Sequence, residues 1–162
     1  MTPASDLFHR ALAALSCGDI DRAEQLTREL LGQDSSSAEA WAILANIYKE
    51  SGHFERAIGP AMRATELEPD NIQHLNNLGF LYLLLGRWEK GKECYARAAA
   101  MPEAPPTIYV NYAWALIELG QEEAATQQLR RAQELSLESR VSKMVQEDPR
   151  YQKLVPILEA LT

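Results

Sequence analysis

Cysteine is scarce in this chain. Cys17 and Cys94 are the only two among 162 residues, and neither belongs to a Cys-x-x-Cys pair. No disulfide framework and no thiolate metal site can be assembled from them. Two isolated thiols suit a reducing compartment and read as small packing residues. Long apolar runs are also missing, and nothing approaches the roughly 18 residues that a membrane-spanning helix requires. Ala14-Leu15-Ser16-Cys17 loosely resembles a lipoprotein cleavage box. The segment before it does not fit, because Asp6 is acidic, Arg10 arrives late and residues 11–16 are too short for the apolar part of a signal peptide. No membrane insertion is expected, and the expected location is the cytoplasm.

Positive charge is not in excess. The net charge is −7, which repels a phosphate backbone and argues against a nucleic-acid partner. Residues 4–37, 38–71 and 106–139 each carry −3, whereas 72–105 and 140–162 each carry +1. Catalytic patterns are absent too. His9, His53 and His74 are scattered and form no metal-binding spacing, and there is no nucleophile elbow, P-loop or dinucleotide fingerprint. Glu122-Glu123 is most simply a pair of favourable charges at a helix N-terminus. No enzyme activity, no metal and no cofactor are expected.

What the chain does have is a period. Gly18, Gly52, Gly86 and Gly120 are spaced 34 residues apart. Five residues after each comes a small residue: Ala23, Ala57, Gly91 or Ala125. Seven residues before each comes another: Ala11, Ala45, Gly79 or Ala113. Large side chains recur in register at Leu7, Trp41, Leu75 and Tyr109. A fixed period of this length is the signature of a solenoid. Trp41, Leu44, Ala45 and Tyr48 fall at i, i+3, i+4 and i+7, one stripe of a helix. The glycine closes that helix by adopting φ > 0. A second helix follows with Ala57, Ala61 and Ala64 inward. The small residues let the two helices approach, and stacked pairs bury what one pair leaves open.

The second unit, Trp41-x2-Leu44-Ala45-x2-Tyr48-x3-Gly52-x4-Ala57-x3-Ala61-x2-Ala64-x4-Pro69, resembles the tetratricopeptide repeat almost without deviation. The third (Leu75, Leu78-Gly79, Tyr82, Gly86, Tyr95, Ala98) and the fourth (Tyr109, Tyr112-Ala113, Gly120, Ala125, Leu129, Ala132) also match. The first is more worn, with Arg10 and Ala14 in columns that elsewhere hold large apolar residues. The resemblance implies an all-α, right-handed superhelical solenoid of four helix-turn-helix repeats within residues 1–139, at 4–37, 38–71, 72–105 and 106–139. Residues 140–162 would be a C-terminal helical cap. Ser35, Glu103 and Leu137 depart from the proline column held by Pro69, and Gly59-Pro60 is expected to kink the second helix of repeat two. In the tail, Asp148-Pro149 is a helix start. Tyr151, Leu154, Val155, Leu158 and Leu161 form an apolar stripe, with a bend or stop at Pro156. This tail either covers Leu129, Ala132 and Leu135 or docks in the protein's own groove.

In a tetratricopeptide array the first helix of each pair lines the concave face, so the resemblance points to a peptide-binding groove of Phe8, Leu12, Ile43, Asn46, Lys49, Asn76, Asn77, Phe80, Leu83, Asn111, Trp114 and Ile117. Asn46, Asn77 and Asn111 supply amides, which both donate and accept and so pair with a peptide backbone without reading its side chains. Inter-repeat hydrogen bonds are the other use for them. Phe80, Leu83, Trp114 and Ile117, with Phe8 and Leu12 further along, supply apolar anchors; burial by the tail or packing between helices is the alternative. A carboxylate clamp is not expected, because Ala42, Thr107 and Asn111 occupy the places where such clamps hold cations. The implied function is a protein-interaction module, an adaptor or chaperone-like scaffold that binds a partner segment with apolar anchors. The alternative is an assembly component that self-associates through its repeat ends or convex face.

Overall fold

The computed structural model describes residues 3–135 and 138–161, and every regular element within them is helical. The helices follow one another in sequential antiparallel pairs, as expected for tetratricopeptide repeats with a C-terminal segment. The chain divides into two compact units, residues 1–85 and 86–162.

The first unit contains α1 (Pro3–Ser16), α2 (Ile20–Gln33), α3 (Ala38–Glu50), α4 (Phe54–Leu67) and α5 (Ile72–Leu84). Each helix packs on the next, and α3 also touches both α1 and α5. Ala11 and Ala23, then Ala45 and Ala57, are buried in the α1–α2 and α3–α4 pairs, the places where small side chains permit close approach. Leu7, Ala11, Leu26, Leu30 and Ala40 form one core cluster, with Phe8, Ala14 and Leu31 packed against it. A polar tie joins α2, α3 and α4. The Tyr48 hydroxyl donates to Glu24 Oε1 at 2.8 Å, Arg28 pairs with the same oxygen at 2.6 Å, and the Arg56 guanidinium lies 4.4 Å from the Tyr48 ring centre.

The α3–α4 turn explains the glycine period. The Gly52 N–H donates to the Lys49 carbonyl at 3.0 Å and the His53 N–H donates to the Tyr48 carbonyl at 2.8 Å. This pair of bonds satisfies the last carbonyls of a helix and requires a left-handed residue between them. Gly52 has φ +73°, while a Cβ built on it would meet nothing within 4 Å. Glycine is required there by backbone conformation and not by space. Gly52→Ala is expected to cost about 1–2 kcal/mol, read as a shift in the denaturant midpoint; an unchanged midpoint would contradict this account of the period.

Pro60 does not break α4, which runs through it from Phe54 to Leu67. The residue before a proline is normally driven out of the helical region by a clash with its own Cβ and N–H. Gly59 has no Cβ, which lessens that conflict. In α5, the helix that reads as hydrophobic all round, Leu75, Leu78, Leu81, Tyr82 and Leu83 are buried.

The second unit contains α6 (Trp88–Ala99), α7 (Pro106–Glu118), α8 (Glu122–Leu135), α9 (Glu138–Glu147), a 3-10 helix (Pro149–Leu154) and α10 (Val155–Glu159). Pro106 sits in the first turn of α7, where the missing N–H costs nothing. The core holds Tyr95, Ile108, Val110, Ala113, Leu116, Ala125, Leu129 and Ala132, together with Val141, Val145, Leu154 and Leu158 from the tail. Leu137, one of the departures from the proline column, lies outside the described residues.

The tail starts a helix at Asp148-Pro149 and stops it ahead of Pro156, as read from the sequence, and a further helix precedes both. Its first part is α9, whose Val141 and Val145 are buried and which packs on α7 and α8. Asp148 then caps the 3-10 helix, accepting from the Arg150 N–H at 3.0 Å. Pro156 cannot donate to the carbonyl four residues back, so it falls in the first turn of a new helix, α10, where no donor is needed. The buried residues beyond Asp148 are Tyr151, Leu154, Ile157 and Leu158. Leu129 and Ala132 are buried, but Leu135 stays 44% exposed, beside a cleft lined by Pro105, Pro106, Val141 and Met144.

Candidate functional site

The twelve groove residues read from the sequence separate into three groups. Ile43 and Leu83 belong to the core. Both are buried, so neither offers surface to a partner; their apolar character serves packing between helices.

Asn111, Trp114 and Ile117 lie on α7 beneath or beside the chain's own tail. The Tyr151 hydroxyl donates to Asn111 Oδ1 at 2.6 Å, and the Asn111 amide also bonds the Tyr95 hydroxyl. Tyr151 meets Trp114 edge-on, with ring centres 5.6 Å apart, and Trp88 lies 5.9 Å from Trp114 on another side. Lys153 Nζ donates to Glu118 Oε2 at 2.6 Å. Ile117 lines a small cleft with Lys153, Pro156 and Ile157. Asn111 and Trp114 are each only 6% exposed. Burial raises the Tyr151 hydroxyl to about 12 and the Tyr95 hydroxyl well above its ordinary value, so both stay protonated at neutral pH. A buried amide between two hydroxyls is a satisfied polar cluster inside the fold. For Trp114 the alternative of burial by the tail holds, and the Asn111 amide is used in hydrogen bonds within the fold.

The remaining seven residues lie in the first unit on α1, α3 and α5, which neighbour one another in that order. Leu12 is 40% exposed, and Phe8 is half-buried against the core with its ring edge-on to His9 at 5.8 Å. Asn46 and Lys49 are half-buried on α3, the ammonium donating to Asn46 Oδ1 at 3.2 Å. Lys49 also lies 3.7 Å from the Glu50 carboxylate. Asn76, Asn77 and Phe80 are half-buried on α5. The face therefore combines amides, one cation already balanced by a carboxylate, and apolar side chains on α1 and α5. With its oxygen engaged by Lys49, Asn46 retains two N–H donors for a ligand carbonyl.

Among the described residues no group of three or more His, Cys, Asp or Glu side chains is placed to hold a metal ion, and no helix is long and apolar enough to cross a membrane. Burial raises the Cys94 thiol to about 11, which makes it inert as a nucleophile. His74 is buried at the start of α5, its Nε2 3.1 Å from the Glu68 carboxylate. Sequence reasoning missed the aromatic cluster of Trp88, Trp114 and Tyr151. The Trp114–Tyr151 contact joins residues 37 positions apart, and no periodicity signals it.

Models of the tetratricopeptide repeat match residues 8–72, 61–93 and 106–138. No curated protein matches the chain in sequence. Solved structures do match in fold. A crystal structure of MamA superposes with a TM-score of 0.77 at 21% identity, covering 82% of this chain and 77% of MamA. A structure of MamA labelled AMB-1 gives 0.72 at 20% identity, with 85% and 78% covered. A structure from the functional characterization of Pseudomonas aeruginosa PilF gives 0.78 at 20% identity, covering 96% of this chain and 72% of that one. At such identities the likeness carries the fold alone. With the repeat models spanning most of its helices and the same architecture in these structures, the chain belongs to the tetratricopeptide repeat family.

Proposed function

We propose that this protein is an adaptor or chaperone-like scaffold, without catalysis of its own, that holds a partner segment across the first helices of its repeats. Tetratricopeptide repeat domains are generally protein-interaction scaffolds. The proposal adds the place and the chemistry. It divides the chain into four repeats, 4–37, 38–71, 72–105 and 106–139, followed by a cap, and it puts the partner on the α1, α3 and α5 face.

One observation supports the reading most. Asn46, Asn76 and Asn77 are half-buried on adjacent helices, with Phe80 on the same helix as two of them and Leu12 exposed on α1. Amides pair with main-chain groups of an extended or helical segment, while apolar side chains receive its anchors.

Affinity capture from the native cell extract, with the wild type beside an Asn46→Ala/Asn77→Ala/Phe80→Ala variant, tests this. Recovery of the principal partner is expected to fall at least tenfold, with little change in the variant's melting temperature because all three side chains are only half-buried. Equal recovery by both proteins would overturn the placement of the site.

A further inference from the structure

The chain contains a worked example of what one of its first helices recognises. On α7, Asn111 and the aromatic three residues later, Trp114, together receive a tyrosine. The Tyr151 hydroxyl donates to the amide oxygen at 2.6 Å, and the Tyr151 ring stands edge-on to the indole at 5.6 Å. One repeat earlier, 34 residues back, the same columns hold Asn77 and Phe80. There the pair is only half-buried, while its counterpart is buried under the tail. The third contact of the tail is electrostatic, Lys153 on Glu118 at 2.6 Å, but the column of Glu118 holds Leu84 in α5.

We propose that Asn77 and Phe80 form a tyrosine-recognition site, and that the partner segment carries a tyrosine whose hydroxyl donates to the Asn77 amide and whose ring packs on Phe80. Leu84 in place of Glu118 sets the second preference: an apolar residue two positions after the tyrosine, where the tail has a lysine. The inference rests on the scaffold reading above and deepens it by naming the anchor. A tyrosine suits such a site because it presents a large apolar face with a polar tip at low conformational cost.

The probe is a synthetic peptide of residues 148–158 carrying Lys153→Leu, titrated calorimetrically against the full chain. A second peptide additionally carries Tyr151→Phe. The first peptide is expected to bind the wild type and a Glu118→Ala variant alike, and to bind Asn77→Ala and Phe80→Ala at least tenfold more weakly. Asn77→Asp keeps an acceptor for the hydroxyl and is expected to retain binding within threefold. The phenylalanine peptide is expected to bind about fivefold more weakly, the loss of one hydrogen bond. Absence of binding to the wild type, or equal binding by Asn77→Ala, would overturn the proposal. So would a loss confined to Glu118→Ala, since the peptide would then be exchanging with the tail on α7. If the peptide fails while capture of the native partner still depends on Asn46, Asn77 and Phe80, the tyrosine chemistry falls and the scaffold reading stands.

Discussion

Truncation after Glu147 is expected to lower the melting temperature by roughly 5–15 °C, at about 2–4 °C per kcal/mol for a chain of this size. The segment removed carries Tyr151, Leu154, Ile157 and Leu158, all buried. Truncating one such leucine costs about 2–5 kcal/mol on its own, and the ordering entropy returned by the released tail offsets most of the combined burial, which leaves a net loss of a few kcal/mol. The deletion also strips the cover from Trp114 and removes the hydroxyl that donates to the buried Asn111 oxygen, leaving a polar atom and an indole for water or another molecule to meet. Aggregation is therefore expected to rise along with the loss of stability. In a repeat array each unit leans on its neighbours, so the helices next to the missing cap fray first. A scanning calorimetry trace and a turbidity curve on the truncated chain check both effects. An unchanged melting temperature would contradict the capping role of the tail.

Trp114→Ala is expected to destabilise the protein by about 3–5 kcal/mol, the usual cost of removing a buried aromatic side chain. Trp114 is 6% exposed and meets Trp88 and Tyr151 at 5.9 and 5.6 Å between ring centres. A vacancy there removes contacts on two sides at once. The comparison with Phe80→Ala makes the experiment decisive, because Phe80 occupies the same column one repeat earlier but is only half-buried. Guanidinium unfolding of the two variants is expected to show a large shift for Trp114→Ala and a small one for Phe80→Ala. Equal small shifts would return Trp114 to the role of a partner-facing anchor.

The helical pairs were legible in the sequence because the determinants are local and repeated. The left-handed glycine at Gly52 and the alanines at Ala45 and Ala57 each act through a turn or a helix–helix contact that recurs every 34 residues. The site was legible only in part. Asn46, Lys49, Asn76, Asn77 and Phe80 are partly exposed on α3 and α5, and helical spacing alone does not separate Ile43 and Leu83, which are buried, from them. Those two turn inward by a fraction of a helical turn, which a column pattern cannot resolve. Asn111 and Trp114 eluded it for another reason. Their burial depends on where a non-repetitive tail returns, and that return is fixed by particular side chains, Tyr151 on Asn111 and Lys153 on Glu118. The tail's internal form followed from proline chemistry at Pro149 and Pro156, whereas α9 carries a short apolar stripe of Val141, Met144 and Val145 at i, i+3 and i+4.

Photo-cross-linking with a reactive side chain at position 77, compared with one at position 63, tests the central claim most directly. Asn77 lies on α5 within the proposed binding face, whereas Arg63 is exposed on α4, the second helix of its pair. Irradiation in the native extract is expected to give a partner adduct from position 77 and none from position 63, with the adduct lost when Phe80→Ala is added. Adducts from position 63 alone would contradict the account and place the partner on the opposite side of the repeats.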